Sequence, residues 1–185
     1  MPSDMIDEEI LSQILERIYS GDEDAFRELY NVCASHMYRF ALSVVKYSYL
    51  AEEAVQEAFL SIILYSGNKR VRKAKSWLFT VVKNCCIKAL KDEHFSRKDD
   101  IDLYKDKLFS ADQTESIETP LNEIEAVRVL DDNELRIIIL CKIEGLTIPE
   151  CAKILGISRV RARSVYDYAI KKLKKFYREK EGQYE

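Results

Sequence analysis

Thr147-Ile148-Pro149-Glu150-Cys151-Ala152-Lys153-Ile154-Leu155-Gly156-Ile157-Ser158 is the stretch whose reading decides the fold. Thr147 and Glu150 have the Ser/Thr-x-x-Glu spacing of a capping box, with Pro149 inside the first turn, so a helix starts there. Gly156 ends that helix soon afterwards, because glycine enters the left-handed conformation of a C-cap without a Cβ penalty, and Ser158 is placed to cap another. Two helices joined by so tight a turn form a helix-turn-helix. Cys151, Ala152 and Leu155 are expected to face inward, Ile157 to plug the turn, and small Ala152 to permit a close crossing. The second helix carries the stripe Ala162, Tyr166, Ala169, Leu173 and Phe176, which leaves its other faces to Arg159, Arg161, Arg163, Lys171, Lys172, Lys174, Lys175 and Arg178. Such a helix fits a DNA major groove, where arginine binds guanine bidentately and backbone amides approach phosphate. The plainer alternative is a solvated basic face of a bundle helix.

Working outward, Asp131 or Asp132 caps a helix from Glu134 to Glu144 with Leu135, Ile138, Ile139 and Ile143 inward, and Gly145 ends it. Thr119-Pro120 starts the helix before that, continued by Leu121, Ile124, Val127 and Leu130. Glu93 to Thr119 is polar and mostly acidic, a linker that lets the parts on either side sit far apart. Four helices precede it. Ile10, Leu11, Ile14, Leu15 and Ile18 form the first stripe, closed by Gly21, and Asp22 caps a long second helix from Ala25 to about Lys46. The third, Ala51 to Tyr65, places Ala54, Val55, Ala58, Phe59, Ile62 and Ile63 on one side and Glu53, Gln56 and Glu57 on the other. Trp77, Leu78, Val81, Val82, Cys85 and Leu90 define a fourth that frays after Asp92. The register of Trp77 with its apolar neighbours makes it a core residue rather than a stacking platform for a base.

Composition agrees with an all-α chain: 185 residues, 47% of them hydrophobic, with only 5 Gly and 3 Pro, leave few obligatory turns and many good helix formers. No apolar run approaches the roughly 20 residues of a bilayer span, and the acidic N-terminus does not read as a secretory signal, so a cytoplasmic protein without membrane insertion is expected. Cys33, Cys85, Cys86, Cys141 and Cys151 are odd in number and lie in apolar patterns, as reduced, buried thiols do. Cys33 and His36 have a spacing that could begin a metal site, but no matching second ligand pair accompanies them, so no metal or other cofactor is expected. Paired carboxylates, a nucleophile with its base, and a phosphate loop are equally lacking, so the chain is not expected to be an enzyme. The net charge of −3 hides a segregation: base collects at Lys69 to Lys75 and Arg159 to Arg178, acid at Glu52 to Glu57 and Asp99 to Glu118. Basic beside acidic surfaces point to a protein partner as well as DNA.

These residues match a family. Leu130 to Leu173, with ELRIIILCKIEGLTIPECAKILGIS, resembles region 4 of the RNA polymerase sigma factors, the domain that binds the upstream promoter element. AFRELY (Ala25 to Tyr30), AEEAVQEAF (Ala51 to Phe59) and SWLFTVVKN (Ser76 to Asn84) are similar to region 2 of the extracytoplasmic-function group of the sigma-70 family. The resemblance implies that Glu53, Gln56 and Glu57 dock on the clamp helices of the largest polymerase subunit, as carboxylates suit an arginine-rich partner. It implies that Lys69, Arg70, Arg72 and Lys73, with Lys75 beside them, lie in the loop that holds a flipped base of the downstream element. Lys83, Asn84 and Lys88 then match the face that reads and melts that element. Ser158, Arg159, Arg161, Arg163, Ser164 and Lys171 match the helix that reads the upstream element. Melting needs only tighter binding of the opened strand, without ATP.

Two departures stand out. Lys91 is followed by Asp92 and Glu93 where the family often has arginines, which implies a weaker downstream grip. Val160 to Val165 replaces a frequent Gly-Thr-Val-Lys-Ser-Arg, which implies a different base preference. The expected architecture is two small helical domains, 1–92 and 120–185, joined by the acidic linker 93–119, in a sigma factor that directs promoter-specific initiation. Its expected partners are core polymerase, through the clamp and the flap of the second-largest subunit, and promoter DNA, with room for an anti-sigma factor. The alternatives are a helix-turn-helix regulator without polymerase docking, or a protein-interaction adaptor on the same scaffold.

Overall fold

The computed structural model describes residues 5–65, 71–96 and 128–181, and the regular secondary structure among them is entirely helical. Lys69, Arg70, most of the expected linker and the helix start at Thr119-Pro120 lie outside the described residues. Helix α1 (Glu8–Tyr19) begins where the Asp7 carboxylate accepts the amides of Glu9 and Ile10, both at 2.9 Å, and it ends before Gly21 at φ +89°. Asp22 caps α2 (Glu23–Val45) as expected, accepting from the Asp24 amide at 3.0 Å. Two further helices complete this group, α3 (Ser48–Ile63) and α4 (Ala74–Ser96).

The orphan amides at the start of α4 go to another helix, since the Glu8 carboxylate accepts from the backbone of both Ala74 and Lys75. At its far end α4 runs to Ser96 rather than fraying at Asp92, and Glu93 accepts a hydrogen bond from the Tyr49 hydroxyl. Apolar stripes meet as their spacing requires: Leu11, Ile14, Leu15, Leu29, Met37, Phe40, Ile62, Leu78 and Phe79 are fully buried. Phe40 and Phe79 meet edge to face with centroids 5.4 Å apart. Trp77 packs against this core, its ring 5.2 Å from that of Tyr65. Ile63 differs from expectation: it is exposed, because its position falls at the end of α3 beyond the seam that Ile62 fills.

The second group is α5 (Asp132–Ile138), α6 (Ile148–Leu155) and α7 (Arg159–Glu181). Of the two aspartates that could cap α5, Asp131 does so, accepting the Asn133 and Glu134 amides while Glu134 returns a bond to the Asp131 amide. The helix expected to run evenly to Glu144 instead widens into a π turn at Ile139–Ile143. At the helix-turn-helix, Glu150 accepts from the Thr147 amide and hydroxyl, Gly156 adopts φ +70°, and the Ser158 hydroxyl accepts the Arg161 amide. Ile154 rather than Leu155 fills the core with Cys151 and Ala152; Leu155 is half-buried.

The two groups do not sit apart. One apolar core runs through both, with α2 and α4 packed against α5 and α6. At the contact, Glu144 is completely buried, both carboxylate oxygens lie 3.0 Å from His36 Nδ1, and Arg39 approaches at 3.9 Å. Lys75, itself buried, donates to the Glu144 carbonyl at 2.8 Å, which removes it from the DNA-facing role that the resemblance implied. His36 is likewise engaged across the seam, by Glu144. Farther along, Arg136 donates to the Ser43 carbonyl near the end of α2, and Lys46 pairs with Asp132 at 2.6 Å. Gly145 completes the seam: it sits at φ +69°, and a Cβ there would fall 2.7 Å from Met5 Cε.

Removing one partner of a buried hydrogen-bonded pair leaves the other unsatisfied. His36→Leu and Glu144→Leu are therefore each expected to destabilise the folded chain by about 2 kcal/mol, and the double variant to lose clearly less than the two together. Urea unfolding of the four combinations measures the coupling, and independent, additive effects would contradict it.

Candidate nucleic-acid interface

Helix α7 presents its cations on a definite face. Its inward residues Ala162 and Ala169 are fully buried, small enough to let α7 lie close on α5 and α6. Ser158, Arg159, Arg161, Arg163, Ser164 and Lys171 are all exposed, although the N-terminal helices pack on the same unit. Arg159, Val160, Arg163, Ser164, Asp167, Tyr168 and Lys171 line one shallow groove. Side chains turn by about 100° per residue along a helix, so Arg161 falls toward a neighbouring side. The sequence stripe left the three arginines to the free faces of the helix, and the helix turns Arg161 away from the other two. Arg163 is held by Asp167 at 3.0 Å, one turn on. Val160, 81% exposed, and Tyr168 were missed as surface residues. The signal for both was available, because neither belongs to the Ala162-Tyr166-Ala169 stripe.

On the N-terminal group, Glu53 and Gln56 are exposed on α3 and Glu57 is half-buried. Leu60, Ile63 and Leu64 continue that helix as exposed apolar residues, with Leu64 at 77%. Sequence periodicity had missed Leu60 and Leu64 as surface features. Asn84 and Lys88 are exposed on α4 and Lys83 is half-buried. Lys88 reaches across to Glu57 at 2.9 Å, and that hydrogen bond raises the Lys88 ammonium above its ordinary value. The acidic and the basic candidate faces are thus adjacent, on neighbouring helices.

Arg72 and Lys73 are exposed in the segment before α4, and Lys73 donates to Glu150 of the helix-turn-helix at 2.7 Å. The same Glu150 closes the capping box. Burial alone would raise its carboxyl, but the hydrogen bonds from Lys73 and from the Thr147 hydroxyl and amide outweigh burial and hold it at about 2. Among the described residues there is no cluster of three or more His, Cys, Asp or Glu able to hold a metal ion, and no helix long and apolar enough to cross a membrane.

Comparison with known proteins assigns both groups of helices. Residues 29–95 match the family described as Sigma-70 region 2, and residues 126–175 match Sigma-70, region 4. The chain is 28% identical over 157 residues to the ECF RNA polymerase sigma factor SigM of Bacillus subtilis, covering 81% of this chain and 93% of that one. It is 27% identical over 166 residues to the RNA polymerase sigma factor CarQ of Myxococcus xanthus, covering 83% and 91%. Its fold resembles that of CnrH, solved in complex with the cytosolic domain of CnrY, with a TM-score of 0.59 at 18% identity over 91% of this chain and 97% of that one. RpoE of Bartonella quintana, solved with the anti-sigma factor NepR, gives a TM-score of 0.60 at 19% identity over 84% and 98%.

Glu150 supplies a pH test. A carboxylate held below its ordinary value of 4.5 contributes stability that is complete above that value and fades as pH falls toward about 2. Glu150→Gln should lower stability by about 1 kcal/mol at neutral pH and flatten the acid limb of a plot of unfolding free energy against pH. An unchanged acid limb in the variant would show that Glu150 does not carry this linkage.

Proposed function

The chain belongs to the sigma-70 family, in its extracytoplasmic-function group, and acts as an RNA polymerase sigma factor in transcription initiation; from that premise we propose how its surfaces divide the work. The α3 face of Glu53, Gln56 and Glu57 docks on core polymerase, at the clamp helices of the largest subunit. Exposed carboxylates attract a basic partner, and Leu60, Ile63 and Leu64 add apolar area at the centre of the contact. Beside it, Lys83, Asn84 and Lys88 take the downstream element, the lysines on phosphate and the Asn84 amide on a base edge. Arg72 and Lys73, with Lys69 and Arg70, hold the displaced strand.

The α7 groove takes the upstream element. Arg159 and Arg163 reach base edges, Val160 packs on a thymine methyl, Ser158, Ser164 and Lys171 position the backbone, and Arg161 grips phosphate from the flank. The observation that carries this division is the single exposed face shared by Arg159, Val160, Arg163, Ser164 and Lys171. In the docked arrangement Lys73 is engaged by Glu150, so a full downstream grip requires the two units to separate. Residues 1–92 and 120–185 serve as the working units, with 93–119 as the tether between them. The protein works in the cytoplasm by binding alone, without catalysis, and the flap of the second-largest subunit holds the C-terminal unit. The fold shared with RpoE, a sigma factor solved with the anti-sigma factor NepR, supports an anti-sigma factor as a further partner of this chain.

Run-off transcription and DNA binding with reconstituted holoenzyme test the assignment. Arg159→Ala and Arg163→Ala should each weaken cognate over scrambled upstream sequence by about tenfold. Arg161→Ala should weaken all sequences alike and reduce the salt slope by about one. Loss of selectivity in the Arg161 variant, with Arg159 and Arg163 indifferent, would reverse the groove assignment. Glu53→Ala with Gln56→Ala should lower core affinity about tenfold while leaving binding by α7 unchanged.

A further inference from the structure

Cys141 and Cys151 face each other where the π turn meets the helix-turn-helix. Both are free thiols, and their sulfurs lie 2.9 Å apart, so a bond between them needs a closure of only about 1 Å. Cys141 lies within the π turn at Ile139–Ile143, and such turns recur at functional positions. Cys151 is fully buried in the first turns of α6, while Cys141 is half-buried and therefore reachable from solvent.

We propose that Cys141 and Cys151 form a reversible disulfide, with a small-molecule disulfide of the glutathione class as the oxidant. The Cys141 thiolate attacks one sulfur of the oxidant, forming a mixed disulfide and releasing one thiolate. Cys151 then attacks Cys141 Sγ; its proton passes to the departing second thiolate. Two cysteines together lose two electrons and the oxidant becomes two thiols. Cys141 is the first nucleophile because it is the sulfur that solvent reaches, and the hydrogen bond it shares with Cys151 and the neighbouring Lys142 both favour its thiolate. Cys151 is raised by that shared bond and by burial. The remaining thiols are poor competitors: burial pushes Cys33 and Cys86 up to about 12 and raises Cys85 as well. In a reducing compartment, cysteine pairs that do oxidise are usually transient and sensing.

The bond would close a loop that holds Glu144, Gly145 and Thr147, the segment docked on His36, Arg39, Lys75 and Met5. Oxidation therefore clips the docking segment in the geometry that already brings the sulfurs together and that presents Glu144 to His36.

The test exposes the full-length protein to oxidised glutathione at neutral pH, blocks residual thiols with N-ethylmaleimide, and maps peptides by mass. The expected result is loss of two thiols, a linked Cys141 and Cys151 peptide reversed by dithiothreitol, and slower amide exchange across residues 142–147. Cys151→Ser should accumulate glutathione on Cys141 as a stable adduct, whereas Cys141→Ser should slow all modification by about tenfold. Retention of all five thiols, a linkage involving Cys85 or Cys86, or no adduct at Cys141 in the Cys151 variant would overturn the proposal.

Discussion

A fully buried carboxylate governs how this protein holds together. Buried away from solvent, the Glu144 side chain needs a polar partner, which the His36 ring supplies, while Arg39 approaches it and Lys75 donates to its backbone carbonyl. These partners come from α2 and α4, while Glu144 follows α5, so satisfying one side chain requires both groups of helices to meet. Apolar contact would hold them in many registers, but a buried carboxylate with a directional partner selects one. The surrounding pairs of Lys46 with Asp132 and Lys73 with Glu150 then fall at the rim, where screening keeps each weak.

That arrangement leaves the proposed binding faces unequally available. The groove of α7 remains open, as do Glu53 and Gln56, whereas Lys73 is engaged across the seam and Lys75 is sealed within it. A molecule whose function consists of holding other molecules can be governed by such partial occlusion alone. Energy stored in the seam sets a threshold that a partner's own contacts must exceed.

Local chemistry made much of the fold legible from sequence. Asp22, Gly21, Thr147, Glu150, Gly156 and Ser158 act where their side chains or backbones dictate, because caps and left-handed turns depend on a few adjacent residues. What escaped were relations between distant segments. Nothing within a few residues of Glu8 says that it caps α4, and nothing near Glu144 says that His36 waits for it. The π turn escaped too, since the run Ile137 to Ile143 satisfies an even helix equally well. Among the candidate surface residues, sequence supplied the charges and the helix distributes them: Arg161 turns aside from Arg159 and Arg163, and Val160, which the apolar pattern did not single out, joins their face.

The contact between Glu8 and the backbone of α4 makes one helix answerable to another. Ala74 and Lys75 begin the helix that carries Lys83, Asn84 and Lys88, and their amides are satisfied by a side chain of α1. Any change that shifts α1 would therefore loosen a helix that lies dozens of residues away along the chain.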